Sequence, residues 1–202
     1  MKKIILTIAL FISVITISSA QFTIGPKAGL NLSKEYYGEK IVDEDINFNP
    51  GVNAGLFGKY MLNDIFGIQA ELLYSQQGFK SNISLMDYDG ILISMGYKNL
   101  SHYLNIPLVF KYYPLKRFYI EAGPQVGFCF SSNISPSDRG DNAPNVDYNA
   151  INFSLVGGLG VYLSDRLSLN ARYNHGLTHT FPDFNYKSRV LQFSLTYDLL
   201  DF

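Results

Sequence analysis

From residue 22 onward, apolar and polar positions alternate one by one through eight separate segments. In the clearest, Tyr103–Tyr113, Leu104, Ile106, Leu108, Phe110 and Tyr112 share one face, while Asn105, Pro107, Val109 and Lys111 share the other. A period of two marks a strand whose faces meet unlike surroundings. The first segment sets Phe22, Ile24, Ala28, Leu30 and Leu32 against Gly25, Lys27, Gly29, Asn31 and Ser33. The second sets Val52, Ala54, Leu56 and Tyr60 against Asn53, Phe57 and Lys59, and the third sets Phe66, Ile68, Ala70, Leu72 and Tyr74 against Gln69, Glu71 and Ser75. Beyond the Tyr103 segment, Phe118, Ile120, Ala122 and Val126 oppose Tyr119, Glu121 and Gln125. Phe153, Leu155, Leu159 and Val161 oppose Asn152, Ser154, Gly158 and Gly160. The last two oppose Leu167, Leu169, Ala171 and Tyr173 to Ser168, Asn170, Arg172 and Asn174, then Leu191, Phe193, Leu195 and Tyr197 to Gln192, Ser194, Thr196 and Asp198.

The connections have a rhythm. Tight turns at 62–65, 114–117 and 163–166 alternate with long polar loops around 34–49, 80–97, 131–149 and 178–187. Short turns on one side and long loops on the other, joining half-apolar strands, predict an all-β fold: an eight-stranded antiparallel up-and-down transmembrane β-barrel. The short turns and both termini are then expected on the periplasmic side. The apolar face is expected to meet lipid and the polar face to fill the lumen. On that reading Leu108, Ile120, Leu155 and Leu169 are lipid-facing, and inward positions such as Asn170 and Ser154 should accept polar changes.

The N-terminus gives the route. Lys2 and Lys3, the apolar run Ile4–Ile17 and the small residues Ser18-Ser19-Ala20 read as a signal peptide over 1–20, leaving the barrel domain at 21–202. The run is shorter than the roughly 17–25 residues that a spanning helix needs. No Cys follows the cleavage site to carry a lipid, and Cys129, the single cysteine, permits no internal disulfide. Without Lys2 and Lys3 the sixteen basic residues become fourteen against seventeen acidic, which is no footprint for nucleic acid. The partners expected are outer-membrane lipid and lipopolysaccharide, with envelope proteins a further class, around a monomer.

Fifteen Tyr and fifteen Phe without Trp supply an interfacial girdle, for which Tyr60, Tyr112, Tyr113, Phe118 and Tyr162 lie near the short turns. Pro107 and Pro124 fall inside adjacent strands and lack a ladder donor, so a bulge or kink is expected there. Phe202 is out of phase with Leu195, Tyr197 and Leu199, which predicts a bulge or a departure from the last strand.

The segments YLNIPLVFKYY, YIEAGPQVGF, VGGLGVYL and ARYNHGLTH, with the opening FTIGPKAGLNLS, make the mature chain similar to the outer-membrane β-barrel domain family of Bacteroidota, often called PorT-like. The resemblance implies an eight-stranded barrel of OmpA-type architecture. It ties one member to the type IX secretion system and fixes no activity.

Seven charges fall on the inward face: Lys27, Lys59, Glu71, Lys111, Glu121, Arg172 and Asp198. Facing parity places Lys111 opposite Tyr119 or Glu121, and Gly158 leaves room for Arg172. An eight-stranded lumen is only wide enough for side chains to fill, so these charges are expected to pair as a structural plug; an ion or proton path is the alternative. No catalytic set, cofactor site or metal site is expected. Ser101 and His102 are adjacent and so face opposite ways, while His175 and His179 sit near a loop rim without a partner. Arg139-Gly140-Asp141, the oxygens of Asp138, Asp141, Asn142 and Asp147, and the acceptor triplets at Asn82 and Asn133 are short matches that a polar loop explains by itself.

Overall fold

The computed structural model describes residues 22–37, 45–86, 92–136, 148–180 and 186–202. Its strands are β1 (Phe22–Tyr37), β2 (Asp45–Met61), β3 (Phe66–Gln77), β4 (Phe79–Met86), β5 (Leu92–Leu115), β6 (Phe118–Pro136), β7 (Ile151–Tyr162), β8 (Leu167–Gly176), β9 (Tyr186–Tyr197) and β10 (Leu200–Asp201). The ring runs β1-β2-β3-β5-β6-β7-β8-β9 and returns to β1, every step antiparallel. Because β4 prolongs β3 and β10 prolongs β9, this is the closed eight-stranded barrel that the alternation predicts. Closure removes the unpaired strand edges that lipid could not hydrogen-bond.

The turns are made locally. Asn63 Oδ1 accepts from the backbone N–H of Ile65 and Phe66, and Ser164 Oγ from that of Leu167. Side-chain acceptors of this kind stand in for a missing backbone partner. These turns define one rim of the barrel, the turn side, and the long connections define the loop side.

Burial is inverted relative to a water-soluble core. Inside lie Lys27, Asn31, Asn53, Gln69, Glu71, Glu121, Asn170 and Arg172; outside, Leu30 is 61% exposed, Leu56 57%, Leu108 51% and Leu155 52%. An apolar belt this continuous far exceeds the patches that soluble monomers expose, and it suits hydrocarbon.

Four sequence expectations need correction. The strands run further into the loop side than expected: β1 reaches Tyr37, β2 begins at Asp45, and the 80–97 loop is largely the β4–β5 hairpin. In 34–37 and 45–49 charged and polar residues blur the alternation, whereas in 80–97 Ile83, Leu85, Ile93 and Met95 do alternate with serines, in a stretch read as one polar loop. Pro107 and Pro124 cause no register shift; the β3–β5 ladder steps from Ala70↔Leu108 to Leu73↔Asn105 and the β5–β6 ladder from Pro107↔Gln125 to Phe110↔Ala122, each skipping two positions in register. The shifts in β5–β6 fall instead at His102/Tyr103 and Tyr112/Leu115. Of the expected girdle, Tyr113 and Tyr162 point into the lumen, since they share the inward parity of Lys111 and Gly160; Tyr60, Tyr112 and Phe118 stay outside. Finally, Asn170 is too closely held to be a tolerant site, as shown below.

The C-terminus resolves its phase problem with a bulge. Pairing of Lys27↔Thr196 becomes Thr23↔Asp201, so one extra residue is accommodated in the closing strand. Phe202 then points outward, 72% exposed, and exchanges backbone hydrogen bonds with Phe22. Gly78, between β3 and β4, has φ of 155°, and a Cβ there would collide with the Asn99 carbonyl; glycine is the residue that accepts both conditions.

The signal-peptide region, Arg139-Gly140-Asp141 and the Asp138–Asp147 oxygens lie outside the described residues.

Candidate functional site

The lumen is the only place where the strands bring many charges together among the described residues, and β3, β6 and β8 supply its centre. Arg172 on β8 donates from Nη1 to Glu71 Oε2 at 2.7 Å and from Nη2 to Oε1, a bidentate fork, while its Nε lies against Glu121 Oε1. Lys27 Nζ reaches Glu71 at 3.1 Å, and Lys111 Nζ reaches Glu121 at 3.6 Å. Gln69 and Asn170 donate to the same two carboxylates, Asn170 to Glu121 Oε1 at 2.6 Å. Lys27, Glu71, Arg172, Glu121 and Lys111 thus form one continuous network from five strands. Lys111 stands directly opposite Glu121, one of the two positions that parity allowed, and also lies 4.0 Å from the centre of the Tyr119 ring.

Small residues make the space. Gly158 pairs with Arg172, whose Cγ a Cβ at 158 would meet at 2.8 Å, and a Cβ at Gly160 would overlap the Tyr119 ring. Fully buried charges are tolerated only when paired and hydrogen-bonded on most sides; every charge of this network is paired, although Glu121 Oε2 has the Lys111 ammonium at 3.6 Å and no hydrogen-bond donor.

Lys59 and Asp198 stand apart from it. Lys59 Nζ donates to Asp198 Oδ2 at 2.7 Å and to Tyr162 Oη at 2.8 Å, and the Tyr162 hydroxyl donates to Asp198 Oδ2 at 3.2 Å. The three border a cavity of about 520 Å³ that opens at the turn side and is rimmed by Asp64, Lys116, Arg117 and Asp165.

At the loop side the lumen is filled by amides and hydroxyls. Asn53 Nδ2 donates to Asn31 Oδ1 and Ser194 Oγ to Asn53 Oδ1, with Asn31 Nδ2 donating to Ser75 Oγ. Thr180, 3% exposed, tucks into the mouth and donates to Glu35 Oε2 at 2.9 Å. The void left beside it measures only about 20 Å³.

Glu35 is the lumen charge that the sequence pattern missed. It continues the inward parity of Asn31 and Ser33, but a loop was expected to begin at residue 34. With it, the described lumen holds four cations and four anions, Glu35 joining Glu71, Glu121 and Asp198.

The candidate catalytic pair is split across the barrel wall. Ser101 Oγ lies inside, 2.8 Å from Asn99 Oδ1 and from Ser132 Oγ, whereas His102 Nδ1 shares a 2.7 Å hydrogen bond with the Tyr74 hydroxyl outside. His175 packs beside Tyr173 at 6.2 Å, and His179 is exposed with its carbonyl bound by Asn149. Among the described residues no three His, Cys, Asp or Glu side chains converge on a point that could hold a metal ion.

A solved structure and a family profile agree with this architecture, and further barrels are similar in part. Neisserial surface protein A superposes over 90% of this chain and 100% of its own with a TM-score of 0.54 at 11% identity. The attachment invasion locus protein Ail of Yersinia pestis, in complex with the heparin analogue sucrose octasulfate, covers 92% of this chain and 100% of its own with a TM-score of 0.48 at 13% identity. OprG of Pseudomonas aeruginosa covers 91% of this chain and 96% of its own with a TM-score of 0.46 at 15% identity. No curated protein matches the chain in sequence. The profile of the outer membrane protein beta-barrel domain matches residues 17–182, and the chain belongs to that family.

Proposed function

We propose that this chain is a sealed, non-enzymatic outer-membrane barrel with a structural or accessory role in the envelope, monomeric, its termini and short turns in the periplasm. One observation carries the reading: the network of Lys27, Glu71, Arg172, Glu121 and Lys111 fills the middle of the lumen with mutually paired groups. An eight-stranded barrel has little cross-section to spare beyond such a plug. The signal peptide read over 1–20 supports export, and the PorT-like resemblance supports a place among Bacteroidota outer-membrane barrels, one of which is tied to a secretion machine.

Planar-bilayer recordings of the purified barrel test the plug. No steady open pore is expected. Sustained conductance whose ion selectivity changes in Glu71→Gln would replace the plug with an ion path.

A second reading, recognition through the loop side, is supported by the length of the strands there. β5 spans 24 residues, whereas crossing the bilayer takes about 9–11 in a tilted strand. The excess would hold the loops well clear of the membrane. Trimming 38–44 or 137–147, which spares the strands on either side, and measuring binding to host or envelope surfaces separates the two, since a structural barrel loses nothing by it.

A further inference from the structure

On the outer surface, where the apolar belt ends at the loop side, the register of β8, β9 and β1 sets three residues in a row. His175 stands opposite Arg189 and Arg189 opposite Lys34, while the β1–β2 ladder ends one step below at Ser33↔Asn49 and leaves Phe48 beside Lys34. Lys34 and Arg189 are therefore two like charges directly across a strand pair, an arrangement that destabilises a sheet unless something neutralises it. Among the described residues neither has a carboxylate partner. They lean apart instead: Lys34 Nζ lies 4.8 Å from the centre of the Phe48 ring, and the Arg189 guanidinium 4.0 Å from that of Tyr36. Between them is a surface pocket of about 210 Å³ lined by Lys34, Arg189, Phe48, Tyr173 and Leu191. Arg189 Nε is buried with no acceptor in reach.

What lies below this pocket identifies its occupant. Leu32 faces Leu191, and one step nearer the turn side Leu30, 61% exposed, faces Phe193, 46% exposed. The site therefore has a cationic head at the belt's edge and an apolar strip leading down from it. We infer that Lys34 and Arg189, with His175 beside them, bind a phosphate monoester on an outer-leaflet glycolipid whose acyl chains lie along Leu30, Leu32 and Phe193. A monoester carries between one and two negative charges near neutral pH and can answer both cations, whereas a phosphodiester carries one. Two charge-assisted hydrogen-bond donors on a lipid-facing wall, screened little by salt, suit that anion.

This inference rests on the orientation proposed above, with the loop side in the outer leaflet, and the two fail differently. An inverted barrel would show its 131–149 loop cut by protease only from the periplasmic side. The site itself is tested by reconstituting the barrel in phosphatidylcholine vesicles containing bisphosphorylated lipid A, dephosphorylated lipid A or phosphatidylglycerol, then counting retained lipid by native mass spectrometry. The wild type is expected to retain the bisphosphorylated lipid preferentially. The double variant Lys34→Gln, Arg189→Gln should weaken retention about tenfold or more. Lys116→Gln with Arg117→Gln, which removes the same charge from the turn rim, should leave it unchanged. Heat-modifiable migration confirms that each variant is folded. Equal retention of the dephosphorylated lipid or of phosphatidylglycerol, or equal loss in the turn-rim variant, would overturn the site and leave the barrel standing.

Discussion

At the turn side the lumen widens into a cavity of about 520 Å³, and the two lumen charges bordering it, Lys59 and Asp198, are held by one another and by Tyr162. Deeper in, Glu71 and Glu121 have fully buried side chains and are shared among three cations. Both regions contain ion pairs, but water can reach only the first. An ion pair beside water loses a partner and recovers solvation, whereas one inside the plug leaves its partner charged, dry and uncompensated. The comparison teaches that the same residue types serve different ends: a replaceable lining at the mouth and a lock at the centre.

The largest effect is therefore expected at Arg172, which alone among the described residues touches both central carboxylates. Arg172→Met should destabilise the barrel by about 3–5 kcal/mol, the range for breaking a buried pair from one side. Urea unfolding from lipid vesicles measures it. Replacing Glu71 and Glu121 by Gln in the same chain should deepen the loss, because Lys27 and Lys111 are then left buried with no carboxylate to answer them. A cost no greater than that of Lys59→Met would erase the distinction between lock and lining.

The barrel wall gives the next contrast. Leu108→Arg places a charge against hydrocarbon and should cost about 2–4 kcal/mol. Facing inward does not by itself confer tolerance, however. Asn170 donates to Glu121 and is 1% exposed, so Asn170→Lys would press a further cation against Arg172. Ser154 is half-buried beside Gly176 at the loop-side void, and Ser154→Asn should be accepted with little loss. Refolding yields in lipid for the three variants should rank Ser154→Asn far above the other two. Comparable yields for Leu108→Arg and Ser154→Asn would mean that the wall was assigned the wrong way round.

Much of this was legible in the residues, for a physical reason. A wall with lipid on one face and side chains on the other forces a period of two, so parity alone placed Lys27, Lys59, Glu71, Lys111, Glu121, Arg172 and Asp198 inside. Parity also narrowed the partner of Lys111 to two residues. It could not say which carboxylate Arg172 would take, because that contact joins β8 to β3 across the lumen and depends on barrel diameter and strand stagger. Glu35 was hidden because past the belt the outward face turns polar and the alternation loses its contrast. Lys34 and Arg189 were hidden more deeply: Lys34 fell in the expected 34–49 loop, where a cation looks solvated, and only the β1–β9 register sets it beside Arg189.

Lys59→Met, the lining variant, should cost about 1–2 kcal/mol, since Asp198 keeps the Tyr162 hydroxyl and gains water from the cavity. The same urea series measures it. Because the central network is untouched, the barrel should also remain closed in bilayer recordings. Conductance appearing in Lys59→Met would shift the seal from the centre to the mouth.

Among the polar locks of the lumen the smallest effect is expected at the loop-side mouth, where Thr180 covers Glu35. Thr180 is held in place by its own backbone: its N–H donates to the Tyr186 carbonyl, and its carbonyl accepts from Asn149. Removing the hydroxyl therefore should not dislodge the segment. Thr180→Val should cost about 1 kcal/mol, the net worth of one hydrogen bond. The informative measurement is the double-mutant cycle with Glu35→Gln. If Thr180 matters by donating to the Glu35 carboxylate, the double variant should be less destabilised than the sum of the singles, because the second change removes the group that the first left unpaired. Strict additivity would mean that the two residues share the mouth without depending on one another, and the loop-side closure would then be steric rather than polar.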